Sequence, residues 1–277
     1  MNTFEKEFTA AAPKYGYLLR FFHDALQQKE VQWKHITIRN LTKVREQMES
    51  ECAANSVVTY CAVIKAVLAQ FADTDLIPCG DDYKKALKPK STPSEQVALT
   101  EEEIAQIERY IPKSKTEREV KAQFLCEYYS LARASDIANF KRENIDIENG
   151  YITYTAVKTK KTAIVPLHKN FLKYFAERGD IHQRWVYNTT IKRIAQKCGI
   201  CKSVRLFYRG QERTAPKYEL IGSHTARRSA ATNLAKRGTP IAIIAKMMSH
   251  GQDIKMTQRY IWVDEIKLDD QAAAFFR

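Results

Sequence analysis

The sequence predicts a mainly α-helical protein of two domains, with a small β-hairpin in the second domain. Three observations lead to this fold class. Apolar residues keep helical spacing through the first ~90 residues, a polar segment with two prolines follows, and two β-branched runs lie close together after it. The chain has 277 residues and 44% hydrophobic content, which is enough to form substantial cores.

The N-terminal domain, residues 1–87, is predicted to be a small helical bundle. One apolar stripe follows Pro13 and comprises Tyr17, Leu18, Phe21, Phe22 and Leu26. A second, clearer stripe comprises Val57, Tyr60, Cys61, Ile64, Leu68 and Phe71. Asn55 and Ser56 are candidate N-caps of the second helix. Aromatic residues at helical spacing belong to a core far more often than to a base-stacking surface, so we interpret them as core.

A linker is predicted at residues 88–97, because KPKSTPSEQ holds two prolines and no apolar residue. Thr100 and Glu103 have the spacing of a capping box, so the second domain, residues 98–277, is expected to open with a helix. Two domains joined by a flexible linker could close around a rod-shaped partner.

The segment FLCEYYSLARASDIANF is predicted to be helical. Its inward face comprises Phe124, Leu125, Tyr128 and Leu131. Arg133 follows near a turn, where Ser135 is a candidate cap of the next helix. Asp136 is placed to support the Arg133 side chain.

A β-hairpin is predicted after Gly150, where YITYTAV and TAIVPL are separated by KTKK. Its turn carries Lys158, Lys160 and Lys161, which are expected to project together. Most lysine-rich turns are only solvated, but near a basic active site these lysines could reach a groove or a leaving group. Further along, helices are predicted at 171–178 and 189–198, and no structure is assigned to 204–219.

The stretch from Ile221 to Ile261 concentrates residues suited to attack on a phosphodiester. Ser223 is a candidate cap of a helix whose first turn carries His224 and Arg227, three positions apart and therefore on one face. Backbone N–H groups at that end of a helix favour an anion. This face is therefore predicted to hold a phosphate.

The next helix is expected to bring a tyrosine to that phosphate. Gly238 suits the left-handed residue that ends the preceding helix, and Thr239-Pro240 suits a cap followed by a first-turn proline. The buried stripe of the new helix comprises Ile241, Ile244 and Met248. His250 and Tyr260 follow on the loop and short helix beyond it.

The charge distribution predicts a polyanionic partner. The formal net charge is +13, and residues 1–100 hold 13 Lys and Arg against 12 Asp and Glu. Residues 151–260, in contrast, hold 22 against 5. Clustered cations suit a nucleic acid, because binding to the phosphate backbone releases counterions. A basic surface that serves only solubility is the alternative, but such surfaces usually mix both signs.

Several classes of protein are not supported. No apolar run approaches the ~20 residues of a membrane helix, and the N-terminus lacks a signal peptide, so we expect a soluble intracellular protein. Six irregularly spaced cysteines fit the reduced cytoplasm. Cys198 and Cys201 lack a second pair and are interpreted as structural. His224 and His250 have no carboxylate or cysteine at ligand spacing, so no metal site or cofactor is predicted.

Several motifs occur in a characteristic order: SLARASDIANFKRENID, AVKTKKTAIVPL, HTAR, MMSHG and TQRYI. In these motifs the chain resembles the tyrosine recombinases of the phage-integrase family, and it looks most like the integrases of bacterial mobile elements and phages. The resemblance covers nearly the whole chain and implies an N-terminal core-binding domain followed by a catalytic domain. It implies the catalytic residues Arg133, Lys158, His224, Arg227, His250 and Tyr260, with Asp136 in support.

The chain departs from the family pattern around its second histidine. The family usually has Gly-His with the tyrosine one position closer, whereas here His250-Gly251 precedes Tyr260 by ten positions. We interpret the difference as one extra loop residue that leaves the role of His250 unchanged. Lys160 would point to the same side of a strand as Lys158, so either residue could be the catalytic lysine.

The chemistry of a phosphodiester fits these residues. Its transition state needs fixed positive charge, which Arg133 and Arg227 would supply as bidentate guanidinium groups. His224 is the candidate proton acceptor for Tyr260, and Lys158 is the candidate donor to the leaving 5′-oxygen. Additional contacts are expected from His250 to the phosphate and from Lys160, Lys161 and Arg228 to DNA, with a salt bridge as the alternative for Arg228. By resemblance the product is a 3′-phosphotyrosine, formed without a metal or a cofactor.

Three functions are considered. The first is a site-specific integrase or excisionase that acts on double-stranded DNA as a tetramer in the cytoplasm of a bacterium, encoded by the bacterium or a phage and associated with the nucleoid. The second is the same chemistry used for DNA relaxation or for hairpin telomere resolution. The third is a DNA-binding accessory protein that has lost catalysis. The complete set of catalytic residues argues against the third function, and the compact length with a C-terminal tail favours the first.

The C-terminal tail is predicted to form a short helix. Its apolar stripe comprises Leu268, Ala272, Phe275 and Phe276. A helix of this length must dock on another surface to be stable in water. The resemblance implies docking on a neighbouring subunit, and the alternative is a cap on its own domain. The first predicted helix begins so close to Met1 that no additional N-terminal domain is expected.

Overall fold

The computed structural model describes residues 3–89, 96–208 and 211–261. The chain forms two compact units, one of Met1–Glu95 with Phe207–Glu212 and one of Gln96–Leu206 with Arg213–Arg277. The units therefore separate within the segment predicted to be a linker. The predicted tail helix lies outside the described residues.

The structure is mainly α-helical, as predicted, and has two small antiparallel sheets where one hairpin was predicted. The helices of the first unit are α1 Phe4–Ala11, α2 Leu19–Leu26, α3 Ile38–Glu51, α4 Ala54–Ala69 and α5 Tyr83–Ala86. Those of the second unit are α6 Glu101–Arg109, α7 Lys115–Ser130, α8 Ala134–Ile137, α9 Phe171–Glu177, α10 Arg184–Lys197, α11 Thr225–Lys236, α12 Ile241–Met247 and α13 Ile254–Gln258. The strands are β1 Ile145–Asp146, β2 Tyr151–Thr155, β3 Thr162–Pro166, β4 Ser203–Tyr208 and β5 Gln211–Pro216. None of the helices in these described ranges is long and apolar enough to span a membrane.

Aromatic residues organise the core of the first unit. The Phe4 ring lies 5.3 Å from the rings of both Phe22 and Trp33. Phe21 and Phe22 are buried, which confirms that these aromatic side chains belong to a core. The predicted stripe of α4 is buried at Val57, Cys61, Ile64 and Leu68.

Two local expectations for the first unit are wrong. Tyr17 lies in a 3₁₀ helix and is 50% exposed, and its ring packs edge-on against the half-buried Tyr60 ring at 5.9 Å. Helix α4 starts at Ala54 with Ala53 as its N-cap, so Asn55 and Ser56 lie inside its first turn instead of capping it.

Helix α7 is the central helix of the second unit and packs against α9, α10 and α11. The capping box of Thr100 and Glu103 is present at the start of α6, as predicted. Helix α7 ends at Ser130, and its C-cap residue Leu131 has a left-handed backbone (φ 52°). The chain can then turn at once into α8. Ser135 lies within α8, and the expectation that it caps this helix is wrong because Arg133 occupies the N-cap position.

The predicted hairpin is formed by β2 and β3, with Tyr151 opposite Pro166 and Thr155 opposite Thr162. Ile152, Tyr154, Ala163 and Val165 alternate into the core. Strand β1 adds a two-residue edge that the sequence did not predict. The turn begins with Ala156, whose carbonyl accepts a hydrogen bond from the backbone N–H of Lys160 at 2.9 Å. The region left unassigned at 204–219 contains a second hairpin, β4 and β5.

The helices near the C-terminal end follow the prediction with small shifts. Helix α9 has the predicted extent with Arg178 as its C-cap, whereas α10 starts at Arg184 and is longer than expected. Gly238 has a left-handed backbone (φ 83°) just after α11, as predicted. Pro240 is the N-cap of α12 and not its first helical residue, so Thr239 is not the cap.

The start of α11 differs from the prediction. His224, and not Ser223, is the N-cap residue. The backbone N–H of Ser223 donates to Asn188 Oδ1 at 2.9 Å, and that of Gly222 donates to Thr225 Oγ1 at 2.9 Å. These two bonds hold the chain before the helix, so Ser223 remains outside it.

Candidate active site

One cavity of about 440 Å³ collects most of the predicted catalytic residues. Arg133, Lys158, His224 and Tyr260 all line it. They arrive from the N-cap of α8, the β2–β3 turn, the N-cap of α11 and the residues after α13. Other lining residues include Ile181, His182, Arg184, Tyr187 and Met256. The site is therefore assembled from segments that are distant in sequence.

Asp136 connects Arg133 to the hairpin turn. Its Oδ2 atom accepts the backbone N–H of Arg133 at 3.2 Å and lies 3.6 Å from the Arg133 guanidinium. Its Oδ1 atom accepts the backbone N–H of Val157 at 2.9 Å. The ion pair with Arg133 is the one that the sequence predicted. The bond to Val157 also fixes the residue next to Lys158.

The guanidinium of Arg133 is also held by Ser249, through the same Nη1 atom that faces Asp136. Nη1 donates to Ser249 Oγ at 3.3 Å, and the Ser249 carbonyl accepts a bond from Thr159 Oγ1 at 3.2 Å. Ser249 has a left-handed backbone (φ 54°) and is fully buried. Arg133 itself is 8% exposed. It is a fixed cation at the wall of the cavity.

The three lysines of the hairpin turn do not project together. Lys158 is exposed and lines the cavity. Lys160 has a left-handed backbone (φ 55°) inside the turn, so the expectation that it shares a strand face with Lys158 is wrong. Lys161 donates from Nζ to the carbonyl of His250 at 3.1 Å. Of these lysines, Lys158 is the one placed at the cavity.

Arg227 lies behind the cavity wall and is fully buried. Its Nη1 donates to the carbonyl of Leu131 and its Nη2 to the carbonyl of Met248. Nη2 also lies 3.1 Å from Nε2 of His250. Burial lowers the pKa of this guanidinium, although Arg remains charged at neutral pH. Both terminal nitrogens are engaged by the protein, which differs from the open bidentate clamp that was expected.

His250 is buried between Arg227 and α13. Its Nδ1 atom lies 2.9 Å from Thr257 Oγ1. Burial, and after it the positive charges of Arg227 and Arg133, lower the pKa of His250 to about 4. The ring is therefore neutral at physiological pH. Its Nε2 accepts from Arg227, so the expected hydrogen bond to a phosphate is not available in this arrangement.

His224 is the exposed histidine of the cavity. Its pKa is lowered by the protein atoms that displace water around the ring, and then by the positive charges of neighbouring arginines, first of all Arg184. A lowered pKa keeps the imidazole neutral at physiological pH. The ring is then able to accept a proton.

The Tyr260 ring lies among three cationic or aromatic side chains. The guanidinium carbons of Arg227 and Arg228 are 5.6 Å and 5.2 Å from its centroid, and the His250 ring is 5.3 Å away. Tyr260 is half-buried and immediately follows the last turn of α13. Arg228 was expected to contact DNA, yet it donates to the carbonyl of Arg259 at 2.6 Å and to Gln96 Oε1 at 3.0 Å.

Two residues of the cavity were missed by the sequence analysis. Arg184 and His182 line it, and His182 Nε2 lies 2.9 Å from Glu119 Oε2. Gln123 holds the same loop through bonds to the carbonyls of Arg178 and Asp180. A correct prediction of the start of α10 at Arg184 could have revealed them. The helix was predicted to begin at 189, so the residues before it were assigned to no element.

The site offers no metal centre within the described residues. No group of three or more His, Cys, Asp or Glu side chains in residues 3–89, 96–208 and 211–261 is placed to hold a metal ion. The described cavity instead carries fixed cations, a neutral imidazole and a tyrosine. Such a set is chemically able to bind a phosphate and to supply a nucleophile.

Comparison with known proteins shows the family of the chain. The model of the phage integrase family matches residues 98–266. The chain is 26% identical to the tyrosine recombinase XerA of Thermococcus kodakarensis over 231 residues, covering 82% of this chain and 76% of the relative. It is also 26% identical to XerA of Pyrococcus furiosus over 226 residues, covering 80% and 74% of the two chains.

Solved structures share the fold. The Tn1549 transposon integrase in complex with a circular intermediate DNA has a TM-score of 0.70 at 15% identity and covers 100% of both chains. A lambda integrase dimer bound to a core site has a TM-score of 0.67 at 13% identity, covering 92% of this chain and 91% of the other. XerH bound to a palindromic difH substrate after cleavage also has a TM-score of 0.67 at 13% identity, covering 98% and 80%.

Proposed function

Because the chain belongs to the phage integrase family, the tyrosine-type site-specific recombinases that act on DNA, we propose that it cuts and rejoins duplex DNA with Tyr260 as the nucleophile. One observation carries the proposal. The Tyr260 side chain lines the same cavity as Arg133, Lys158 and His224. A nucleophile, two cations and a neutral base thus meet in a space large enough for a phosphate and its sugar.

The reaction follows from these groups. The Tyr260 oxygen forms a bond to phosphorus, its proton passes to His224, and the bond from phosphorus to the 5′-oxygen breaks. Lys158 supplies the proton that the leaving 5′-oxygen takes up. The product is a 3′-phosphotyrosine and a free 5′-hydroxyl. Attack by a second 5′-hydroxyl reverses the step, so no external energy source is needed.

The two arginines have different roles in this proposal. Arg133 is at the cavity, where its guanidinium can hold the non-bridging oxygens as their charge increases. Arg227 adds positive charge from behind the wall and holds the segments around it through its bonds to Leu131, Met248 and His250. Fixed charge of this kind needs little reorganisation during the reaction. The chemistry of the family is metal-independent.

The partners follow from the family and from the basic charge. Structurally similar proteins have been solved bound to DNA, one of them as a dimer. We extend this to a tetramer on two paired DNA sites, because exchange of both strands of two duplexes needs four nucleophiles. The protein would act in the cytoplasm on the DNA of a bacterium or phage. Docking of the tail on a neighbouring subunit belongs to the same proposal and concerns residues outside the described ranges.

Covalent capture tests the function. The purified chain is incubated with a duplex library of randomised sequence, complexes that resist sodium dodecyl sulfate are collected, and the attached DNA is sequenced. Wild type should enrich one sequence, and Tyr260→Phe should bind DNA but yield no covalent complex. Covalent complexes with Tyr260→Phe, or none with wild type, would contradict the proposal.

Incubation with a supercoiled plasmid distinguishes recombination from DNA relaxation, which is the main alternative. Relaxation into a ladder of topoisomers, without dependence on the enriched sequence, would favour the DNA-relaxing function. Exchange of flanking segments between two duplexes that carry the sequence would favour recombination. Binding without either product would favour an accessory protein.

A further inference from the structure

Arg228 holds the backbone next to the nucleophile. Its Nη1 donates to the carbonyl of Arg259 at 2.6 Å, and Arg259 directly precedes Tyr260. Its guanidinium carbon lies 5.2 Å from the centre of the Tyr260 ring. Arg228 therefore contacts both the main chain before the nucleophile and the face of the reactive ring.

A second residue of α11 contacts the next carbonyl. Thr232 lies one helical turn after Arg228, on the same face, and its Oγ1 donates to the carbonyl of Tyr260 at 3.3 Å. Helix α13 has only five residues, which is too short to be stable by itself in water. The position of Tyr260 must therefore be set by such tertiary bonds. Residues 228 and 232 supply them for two consecutive peptide groups.

The surroundings of Arg228 differ from those of an arginine that contacts DNA. Its two terminal nitrogens are bonded to Arg259 and Gln96, and its Nε is buried without a hydrogen-bond partner among the described atoms. A side chain that binds backbone phosphates needs an open guanidinium. Here the guanidinium faces the protein.

Gln96 sets the orientation of Arg228 from the other side. Its Oε1 accepts from Nη2 of Arg228 at 3.0 Å, and Gln96 belongs to the segment 88–97 predicted as the linker. From these contacts we infer that Arg228 is a positioning residue for Tyr260 and that Gln96 holds it in place. This inference rests on the proposed function. It connects the end of the linker to the nucleophile through one side chain.

A cleavage experiment separates positioning from DNA binding. The substrate is a nicked duplex that carries the sequence enriched in the covalent capture, so that cleavage releases a short strand and traps the adduct. The variants are Arg228→Ala, Arg228→Lys, Gln96→Ala and the double variant of Gln96→Ala with Arg228→Ala. The control is Arg237→Ala at the C-cap of the same helix, because Arg237 is an exposed arginine paired with Glu101 at 2.6 Å.

Arg228→Ala should lower the rate of adduct formation at saturating DNA by about tenfold or more, a loss of transition-state stabilisation. Its Kd for the duplex and the salt dependence of binding should match wild type. Arg228→Lys should recover part of the rate, because a lysine can still reach one carbonyl. Gln96→Ala should have a smaller effect, and the double variant should be no slower than Arg228→Ala. Arg237→Ala should behave as wild type.

Two results would overturn the inference. If Arg228→Ala weakens Kd, reduces the salt slope by about one and reaches the wild-type rate at saturation, Arg228 is a phosphate contact. If the effects of the two single variants add, Gln96 does not act through Arg228. Thermal unfolding shows whether each variant is folded. If Arg228→Ala does not fold, the cleavage rates of Arg228→Lys and Gln96→Ala test the inference in its place. Absence of any wild-type adduct would instead reject the proposed function.

Discussion

His250 accepts a hydrogen bond from Arg227, with 3.1 Å between Nε2 and Nη2. Since an arginine can only donate, this contact fixes the imidazole as the tautomer with its proton on Nδ1. That proton points to Thr257 Oγ1 at 2.9 Å, and the Thr257 hydroxyl donates onward to the carbonyl of Asp253 at 3.3 Å. One continuous series of bonds thus links the buried arginine to α13.

Thr257→Val should disturb this series with little change in volume. Thr257 is fully buried, so the Nδ1–H of His250 would lose its acceptor. We expect a loss of about 1–3 kcal/mol in the free energy of unfolding and slower adduct formation at saturating DNA. Chemical denaturation and single-turnover cleavage measure the two effects. Thr257→Ser keeps the hydroxyl and should stay close to wild type; equal losses in both variants would show that the methyl group, and not the bond, matters.

The free energy of unfolding should depend on the neutral state of His250. Its pKa is about 4 in the folded chain, against an ordinary value of 6.5, so between these values the unfolded chain binds a proton that the folded chain does not. Stability from this group is present above about pH 6.5 and is lost as the pH falls towards 4, by an amount on the order of 3 kcal/mol. Denaturation at a series of pH values measures it. His250→Gln should show a smaller slope in this window, and an unchanged slope would contradict the assignment.

Lys158 should be the proton donor to the leaving group. Lys158→Ala should lose cleavage of ordinary DNA and recover it on a substrate with a 5′-thiolate leaving group, which leaves without a proton. Lys160→Ala serves as the matched control, since Lys160 lies in the same turn and should cleave both substrates. Rescue seen in Lys160→Ala and not in Lys158→Ala would reverse the two assignments.

Arg184→Gln should shift the pH dependence of cleavage. Arg184 is the first of the cations that lower the pKa of His224, so its removal should raise that pKa. If neutral His224 accepts the proton of Tyr260, the acid limb of kcat/KM lies below 6.5 in wild type and moves to higher pH in the variant. Arg193→Gln, on the exposed face of the same helix, is the control. If the acid limb of kcat/KM does not move in Arg184→Gln, His224 is not the group that accepts the proton.

Local patterns predicted the parts of the fold that short segments determine. The capping box at Thr100, the hairpin around its KTKK turn and the left-handed Gly238 each depend on residues within a few positions of one another. The second hairpin was missed because its strand β5, QERTAP, is charged and has no alternation of apolar residues. Helix starts were displaced where a tertiary bond decides them, as with Ser223, whose backbone N–H is bonded to Asn188.

The active site, like the fold, was predicted only in part. The order of motifs predicted that Arg133, Lys158, His224 and Tyr260 would meet, and the structure places them in one cavity. The partners of Arg227 and Arg228 are mostly backbone carbonyls, of Leu131, Met248 and Arg259. Every residue carries a carbonyl, so no pattern of side chains can indicate which ones face an arginine. This is why the expected phosphate clamp and DNA contact differ from the contacts observed.

The contacts that complete the cavity join residues far apart along the chain. Arg133 reaches Ser249 across 116 positions, Thr159 reaches Ser249 across 90, and Arg227 reaches Leu131 across 96. Such contacts form late in folding, because the intervening loops must close first. A newly made or partly unfolded molecule therefore holds its tyrosine away from the cations that make it reactive. We therefore expect that only the folded domain cleaves DNA and that an unfolded copy leaves DNA uncut.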